Sequence, residues 1–312
     1  MWHRDCNALA RSEIRQNTLI HIPHGERIVQ VRPMTINERM MYSTVRVEGR
    51  LASGEEIAGT GFLLSHTTQA GVKVRMLVSN PHVVRGVGRG TIHFHRPRST
   101  SGHGQVIPTS SVPVEVDNFE SQWVHHPDPE VDLCALPYDA IHAAVQASGQ
   151  DVYATFFESQ QVIPPDEALA KVDAAEEVQL IGYPEMVWDR VNSFPIFRRG
   201  TIASHPRVDF QGRPEILIDI ASSYGCSGSP VVVLNRTTFK EHEAECWPVV
   251  LLGVLTSGFG RGPDGAARED LVCREGKRSL APGTIHLGAV VKARELLVIA
   301  EAVAAMDGKS GE

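Results

Sequence analysis

The sequence predicts an all-β fold of two antiparallel six-stranded β-barrels with a C-terminal helix. Two sets of six short apolar runs, each bounded by Gly, Pro, Ser or Asn, indicate the strands of two small barrels. After the second set, Leu296, Ile299 or Ala300, and Val303 recur at the spacing of one helix face. The 312 residues are 42% hydrophobic and 21% charged, which is enough to bury a large core.

The first barrel is predicted over residues 37–138. Residues 1–36 precede it as an irregular extension of mixed charge, and Thr35 is expected to cap a short helix through Met40. Short or alternating apolar runs place its strands at Tyr42–Val47, Gly61–Ser65, Val72–Ser79, Thr91–His95, Val112–Val116 and Leu133–Leu136.

Residues 139–176 are predicted to connect the two barrels. Asp139–Gly149 has the pattern of a helix with an acidic N-cap and a glycine stop, and Pro164-Pro165-Asp166 opens a second short helix. The second barrel is expected over residues 177–291, and residues 292–312 form the helix that packs on it, with a tail. The strands of this barrel are predicted at Val178–Gly182, Gly200–Ser204, Ile216–Ile220, Pro230–Leu234, Val249–Thr256 and His286–Val291.

Three motifs carry chemistry. Gly225–Pro230 reads Gly-x-Ser-Gly-x-Pro, a turn that presents a serine beside two backbone N–H groups. His82 follows the apolar run Leu77–Ser79, and Asp132 opens another such run. Each motif alone has an ordinary explanation as a turn, a solvated histidine or a strand-start acid. In the order His82, Asp132, Ser227, with separations of 50 and 95 residues, they fit His and Asp on one barrel and Ser on the next.

This set of residue types suits acyl transfer. A serine hydroxyl is a weak nucleophile at neutral pH, so His82 would take its proton during attack on a carbonyl and return it to the leaving amine. Asp132 would fix the imidazole tautomer and stabilise the imidazolium. The N–H groups of Gly225 and Ser227 would face the developing oxyanion, a contribution of about 3 kcal/mol per donor.

The motifs resemble the trypsin-like serine peptidase superfamily, in particular its bacterial members that lack the disulfides of the digestive enzymes. The resemblance covers Tyr42 to Leu297. Gly59–Ser65 is similar to the family's Gly-x-Gly-Phe strand before the histidine, and Leu252–Gly258 to the strand that follows the serine. The resemblance implies a chymotrypsin-like fold and a serine endopeptidase that cleaves polypeptides through an acyl-enzyme and needs no cofactor.

The resemblance also implies a specificity pocket. The residue six positions before the nucleophile, at the base of the pocket in the family, is Ala221 here, with Ser222 beside it. An uncharged base favours an apolar or small residue before the scissile bond, with Thr256, Ser257 and Gly258 as a wall and substrate-pairing edge. The loop that follows, residues 259–278, offers a second possibility, an acidic preference. Its arginines are Arg261, Arg268 and Arg274.

Three positions depart from the animal trypsin pattern. Cys226 stands where trypsin has the aspartate that pairs with a new N-terminus, so that activation switch is expected to be absent. Ser229 replaces the usual second glycine, and Pro81 replaces the alanine before the histidine. Cys226 also raises the idea of a nucleophile or redox switch, although this turn position normally faces away from substrate.

Composition narrows the partners and the compartment. A net charge of −7 and a pI near 6.1 argue against nucleic acid as the main partner. Five cysteines, odd in number and without a CxxC pair, favour reduced thiols in a cytoplasm. Residues 1–20 have no apolar core of a signal peptide, and no run is long enough to span a membrane. The cysteines are Cys6, Cys134, Cys226, Cys246 and Cys273.

Several histidines cluster in the first half. His93-x-His95 lies on one strand, and three others follow at His103, His125 and His126. No set of four ligands at a recognised zinc spacing accompanies them, so they are interpreted as surface histidines, and no metal site is predicted.

Two other functional classes stay open at this stage. In one, the chain is a protease-fold module that binds a peptide or protein partner without cutting it. In the other, it is a latent enzyme that an activating partner switches on. The complete triad favours catalysis, while the missing zymogen aspartate leaves latency open.

Overall fold

The computed structural model describes residues 35–96, 111–184, 187–190, 192–221, 223–234, 248–261, 267–270 and 285–307. The expected extension 1–36 therefore lies outside the described residues except for its last two positions. The described chain is mostly β, with strands in two sheets and helices at its start, between the sheets and near its end.

The first sheet contains the first eight strands, and seven of them form one antiparallel path in the order β5-β4-β1-β2-β3-β7-β6. The short eighth strand pairs with β2 in parallel. These strands are β1 (Thr44–Leu51), β2 (Glu56–Thr67), β3 (Lys73–Ser79), β4 (Val87–His95), β5 (Ser111–Asp117), β6 (Val124–His125), β7 (Cys134–Pro137) and β8 (Phe157–Glu158).

The second sheet contains seven strands, and six of them close into a barrel. The order is β12-β9-β10-β11-β15-β13-β14, and an additional pairing of β12 with β13 completes the ring. These strands are β9 (Glu177–Gly182), β10 (Ile196–Ile202), β11 (Glu215–Asp219), β12 (Pro230–Leu234), β13 (Val249–Arg261), β14 (Ala267–Asp270) and β15 (Ile285–Lys292).

The expectation of two closed six-stranded barrels is confirmed for the second half only. In the described part of the first sheet, the outermost strands β5 and β6 are not paired with each other. Strand β6 has two residues and therefore offers few backbone groups for a further ladder. That strand, β8 and β14 were not predicted, because two to four residues carry no readable alternation.

The helices show which local signals the chain uses. Helix α1 (Ile36–Ser43) has the predicted cap: the Thr35 hydroxyl accepts from the Glu38 N–H, and the Glu38 carboxylate accepts from the Thr35 N–H. It runs to Ser43 rather than stopping at Met40. Its last residue is held by a hydrogen bond from the Ser43 hydroxyl to the Arg39 carbonyl.

The connection between the sheets holds most of the remaining helices. Helix α2 (Pro81–Val84) is a single turn in the first sheet, and helices α3 (Tyr138–Ala147), α4 (Ser159–Val162) and α5 (Asp166–Leu169) lie in the connection. The predicted acidic cap of α3 is wrong. Pro137 is its N-cap, and Asp139 lies in the first turn instead. A carboxylate there still favours the helix dipole.

Helix α6 (Arg294–Asp307) has the predicted apolar face, and Leu296, Ile299, Ala300 and Val303 are fully buried. The helix was expected to pack on the second barrel. It contacts β15, but it also packs against β3, β6 and β7 of the first sheet. The expectation was incomplete because helical spacing identifies the buried face and not its partner.

The core explains why α6 reaches both sheets. One cluster of buried side chains takes members from β2 and β3, from β12 and β13, and from α6. Each sheet also has its own interior cluster. The shared cluster excludes water between the two halves, so burial of its apolar surface fixes how one half sits on the other. Representative members are Phe62, Val78, Val254, Leu296 and Val303.

His95 corrects the view that the histidines lie on the surface. It is fully buried at the end of β4, and its ring packs edge-on against Tyr42 at 4.9 Å between centroids. His126 is also buried, whereas His125 is exposed. His103 lies outside the described residues. Burial lowers the pKa of His95 to about 4, because the charged ring would lose its hydration.

His95 should make the protein acid-sensitive. The pKa of the folded state lies below the ordinary value of 6.5, so the unfolded chain binds the proton first as pH falls. The free energy of unfolding therefore has its full contribution from the neutral His95 ring above pH 6.5. It falls by about 3 kcal/mol in total as the pH decreases toward 4. Urea unfolding of wild type and His95→Phe at pH 7 and pH 4.5 should show the smaller loss in the variant. His125→Gln, at an exposed histidine, is the control, and equal losses in all three proteins would refute the assignment.

Candidate active site

His82 and Asp132 are joined in the first sheet. Strand β3 ends at Ser79, and Pro81 begins the single turn α2 that carries His82. Asp132 lies two residues before β7. The Nδ1–H of His82 donates to Oδ2 of Asp132 at 2.6 Å, and both side chains are largely buried. This hydrogen bond selects the tautomer with the proton on Nδ1 and orients the ring.

The sheet register explains why two residues so distant in sequence meet. Strands β3 and β7 are antiparallel neighbours, with Ser79 opposite Cys134. The segments just beyond Ser79 and just before Cys134 therefore lie side by side. Asn80 joins them directly, since its Nδ2 donates to the Asp132 carbonyl at 2.6 Å. Asn80 was not singled out from the sequence, although its place between the strand and Pro81 is where such a contact is needed.

Ser227 lies in the second sheet, in the turn between β11 and β12. We call residues Gly225–Pro230 the serine turn. Within it, the Cys226 N–H donates to the Ser223 carbonyl at 3.1 Å, and the Ser229 N–H donates to the Cys226 carbonyl at 3.0 Å. Gly225 and Gly228 have φ of +88° and +84°, a conformation that glycine adopts without strain. The sequence pattern therefore produces the tight turn that it predicted.

The serine turn is held on β13. The Gly228 N–H donates to the Leu255 carbonyl at 2.9 Å, and the Leu255 N–H donates to the Ser229 carbonyl at 3.0 Å. The hydroxyl of Ser227 donates to the Thr256 carbonyl at 3.3 Å. The register of β13 with β15 shifts between Leu255 and Ser257, which leaves Thr256 outside the regular ladder. The hydrogen bond from Ser227 is thus made to a residue at this irregularity of β13.

The turn also contacts the first sheet. The Thr60 N–H on β2 donates to the Ser227 carbonyl at 2.8 Å, and the Ser79 hydroxyl donates to the Thr60 carbonyl at 2.8 Å. Ser79 is three residues before His82. A short chain of hydrogen bonds thus connects the backbone of Ser227 to the strand that delivers His82. All three sequence motifs therefore lie at the junction of the two sheets.

Comparison with known proteins identifies the family. The sequence model of the trypsin-like peptidase domain matches residues 59–237, which is more than half of the chain. The chain belongs to the trypsin-like peptidase family. Its fold is accordingly that of a peptidase. A search of curated proteins found no match.

Solved structures resemble this trypsin-like peptidase at low sequence identity. The active form of the Rv3671c protease from M. tuberculosis is 16% identical over 82% of this chain and 78% of that chain, with a TM-score of 0.42. The MamO protease domain from Magnetospirillum magneticum is 13% identical over 84% and 97%, with a TM-score of 0.44. A variant of the HtrA-type protease AlgW with a tripeptide is 14% identical over 88% of this chain, with a TM-score of 0.47. The chain spans 64% of that AlgW chain.

The segments expected to bind substrate in this trypsin-like peptidase are only partly described. Thr256 and Ser257 are buried beside the serine turn, and Gly258 pairs with Gly288 across β13 and β15. Ala221 is half-buried after β11. Ser222 and the side chains of the three loop arginines lie outside the described residues. The choice between an uncharged and an acidic residue before the scissile bond therefore stays a prediction from the sequence.

The departures from the trypsin pattern have structural partners. The Cys226 side chain is buried in the interior cluster of the barrel, and burial raises the pKa of its thiol. A buried, protonated thiol is a poor nucleophile, which argues against the switch considered above. Cys134 is likewise a buried free thiol with a raised pKa. Cys6, Cys246 and Cys273 lie outside the described residues, so the expectation of reduced thiols stays a prediction.

Ser229 is accommodated by a glycine on β9. A Cβ added at Gly182 would lie 2.0 Å from the Ser229 hydroxyl and 2.8 Å from the Thr60 hydroxyl. A carbon atom cannot lie this close to either oxygen. A second glycine in the turn would need no space for a side chain, whereas Ser229 does, and the missing side chain of Gly182 provides that space. The sequence contains this signal only as two separate residues, 47 positions apart.

The described residues show how the histidines of the first sheet are used. Within them, no three His, Cys, Asp or Glu side chains lie close enough together to hold a metal ion. His93 instead contacts Glu48, with 2.9 Å between Nε2 and Oε2, and this hydrogen bond is the main cause that lowers the pKa of Glu48 to about 2. Among the helices that the structure describes, none has the length and apolar character needed to cross a membrane.

Gly182→Ala should destabilise the protein by about 1–3 kcal/mol, because the new methyl group overlaps the Ser229 hydroxyl. Ser229→Gly in the same chain should remove about 1 kcal/mol or more of that cost, while the contact with Thr60 keeps the rescue incomplete. Urea unfolding of the two single variants and the double variant measures the coupling. Gly88→Ala is the control, since a Cβ there meets nothing within 4 Å. Strict additivity would contradict the proposed fit.

Proposed function

We propose that this trypsin-like peptidase is a serine endopeptidase that hydrolyses polypeptides through an acyl-enzyme. The observation that carries the proposal is the 2.6 Å hydrogen bond between His82 and Asp132. The Ser227 carbonyl is bound to the same sheet, because it accepts a hydrogen bond from the Thr60 N–H. The family match supplies the reaction class.

In the proposed mechanism, the Ser227 hydroxyl attacks the carbonyl carbon of the scissile peptide bond. Nε2 of His82 takes the hydroxyl proton as the C–O bond forms, and then gives it to the leaving amine as the C–N bond breaks. Water attacks the resulting ester by the same route, with His82 again as base and then acid. Asp132 accepts from Nδ1–H throughout and stabilises the imidazolium.

The oxyanion would be bound by the backbone N–H groups of Gly225 and Ser227. The other amides of the serine turn hold its conformation. Those of Cys226, Gly228 and Ser229 donate to carbonyls of Ser223, Leu255 and Cys226 respectively. A turn held in this way would need little reorganisation during reaction.

For the substrate, we propose an uncharged residue before the scissile bond. Ala221 offers no counter-charge, and Ser257 and Gly258 on the irregular part of β13 would form the wall and pair with the extended substrate backbone. The binding module and the latent enzyme remain the alternatives. The joined His82 and Asp132 pair argues against the binding module, which does not require an oriented imidazole, whereas a latent enzyme would keep the pair.

Wild type should react with a fluorophosphonate probe, and intact-mass and peptide mass spectrometry should place one adduct at Ser227. Ser227→Ala should stay folded by circular dichroism and unlabelled, because it lacks the nucleophilic oxygen. Labelling of the alanine variant at an equal rate would overturn the assignment. A folded wild type that does not react would favour the latent or binding alternative.

Asp132→Asn should lower the labelling rate by about ten-thousandfold, because an amide nitrogen opposite Nδ1 favours the wrong imidazole tautomer. The measurement is the second-order rate constant of fluorophosphonate labelling at pH 7. Asp128→Asn, in the same loop but away from His82, should stay within about threefold of wild type. Equal rates for both variants would exclude Asp132 from the mechanism.

A further inference from the structure

Thr60 lies fully buried on β2, at a place where the regular ladder stops. The antiparallel register of β2 with β3 begins at Phe62 opposite Val78, so Thr60 is beyond it. On its other side β2 pairs with β1, where Thr60 stands opposite Arg46. A strand residue beyond a ladder has backbone groups that need other partners. At Thr60 these partners come from the active site.

Four hydrogen bonds meet at this one residue. Its N–H donates to the Ser227 carbonyl at 2.8 Å, and its carbonyl accepts from the Ser79 hydroxyl at 2.8 Å. Its hydroxyl donates to the Gly225 carbonyl at 2.8 Å and accepts from the Tyr183 N–H at 3.0 Å. The hydroxyl is thus both donor and acceptor, and every one of these partners is a different residue.

The backbone around Thr60 allows no displacement toward the serine turn. A Cβ added at Gly228 would lie 1.9 Å from the Thr60 carbonyl oxygen. Close by, the Tyr224 hydroxyl accepts from the Ala58 N–H at 3.2 Å. The serine turn therefore contacts β2 at Thr60, and Tyr224, just before the turn, contacts it at Ala58.

We infer that Thr60 is a positioning residue that fixes the serine turn of the second sheet against the histidine strand of the first. It holds the carbonyls on both sides of Cys226, at Gly225 and Ser227, and through Ser79 it is linked to the strand that leads to His82. The expected effect on the rate of reaction at Ser227 rests on the proposed function. The hold on the turn, by which we mean that Thr60 fixes the serine turn in place, does not.

The chemistry of the hydroxyl makes the inference specific. Valine has nearly the shape of threonine but can neither donate to the Gly225 carbonyl nor accept from the Tyr183 N–H. Both backbone groups would stay buried without that partner, and the turn would relax to regain hydrogen bonds. Serine keeps the hydroxyl and loses only a methyl group. A displacement of about 1 Å at a nucleophile is enough for a hundredfold loss of rate.

The test compares Thr60→Val with Thr60→Ser. In Thr60→Val, the limiting rate constant of fluorophosphonate labelling at saturating probe should fall by about ten- to a hundredfold, while the probe concentration at half-maximal rate changes little. In Thr60→Ser, the limiting rate should stay within about threefold of wild type. Hydrogen exchange of a peptide covering residues 223–229 should be faster in Thr60→Val alone.

Thr44→Val is the matched control. Thr44 is equally buried, and its hydroxyl donates to the Met40 carbonyl at 2.9 Å, away from the serine turn. Its loss should lower the midpoint of urea unfolding without changing the labelling rate of the folded protein. If Thr60→Val behaves like Thr44→Val in both labelling and exchange, Thr60 is only a structural residue and the inference is wrong.

The two proposals fail in different ways. If wild type does not react at Ser227, the proposed function fails, and exchange of residues 223–229 then decides about Thr60 by itself. Faster exchange in Thr60→Val alone would support the hold on the turn, and unchanged exchange would overturn it. If wild type reacts and Thr60→Val reacts as fast, only the inference about Thr60 fails.

Discussion

A shared apolar cluster presses the two sheets together, and the site depends on this contact because its parts come from different sheets. His82 and Asp132 belong to the first sheet, and Ser227 belongs to the barrel of the second. Neither sheet alone can fix the distance from Ser227 to His82 and Asp132. Apolar burial brings the sheets together without direction, and the hydrogen bonds at Thr60 then supply direction at the point of closest approach. Strength and precision therefore come from different interactions.

The sequence was most informative where local chemistry decides the structure. The capping box of α1, the glycine stop of α3 and all twelve predicted strands correspond to elements of the structure, with ends that differ by a few residues. The errors have a common origin. The closure of the first sheet and the packing of α6 depend on contacts between distant segments, which periodicity along one segment does not contain.

The residues of the candidate site also fall into those that the sequence indicated and those that only the structure shows. The three candidate catalytic residues could be proposed from the sequence because their motifs combine unusual residue types with a fixed order. Thr60 and Asn80 were not found, because a threonine between two glycines and an asparagine after a strand are ordinary in sequence. Their importance arises only from the backbone groups that the fold brings to them. Pairs such as Gly182 and Ser229 are equally invisible until the strands are placed side by side.

Helix α6 contacts both sheets and contributes its whole apolar face to the cluster between them. A ribosome makes this helix after every strand of the two sheets, so the cluster stays incomplete while the rest of the chain is already exposed to the cytosol or to a translocation channel. The contact between the two sheets can therefore be completed only after residues 294–307 have left the ribosome.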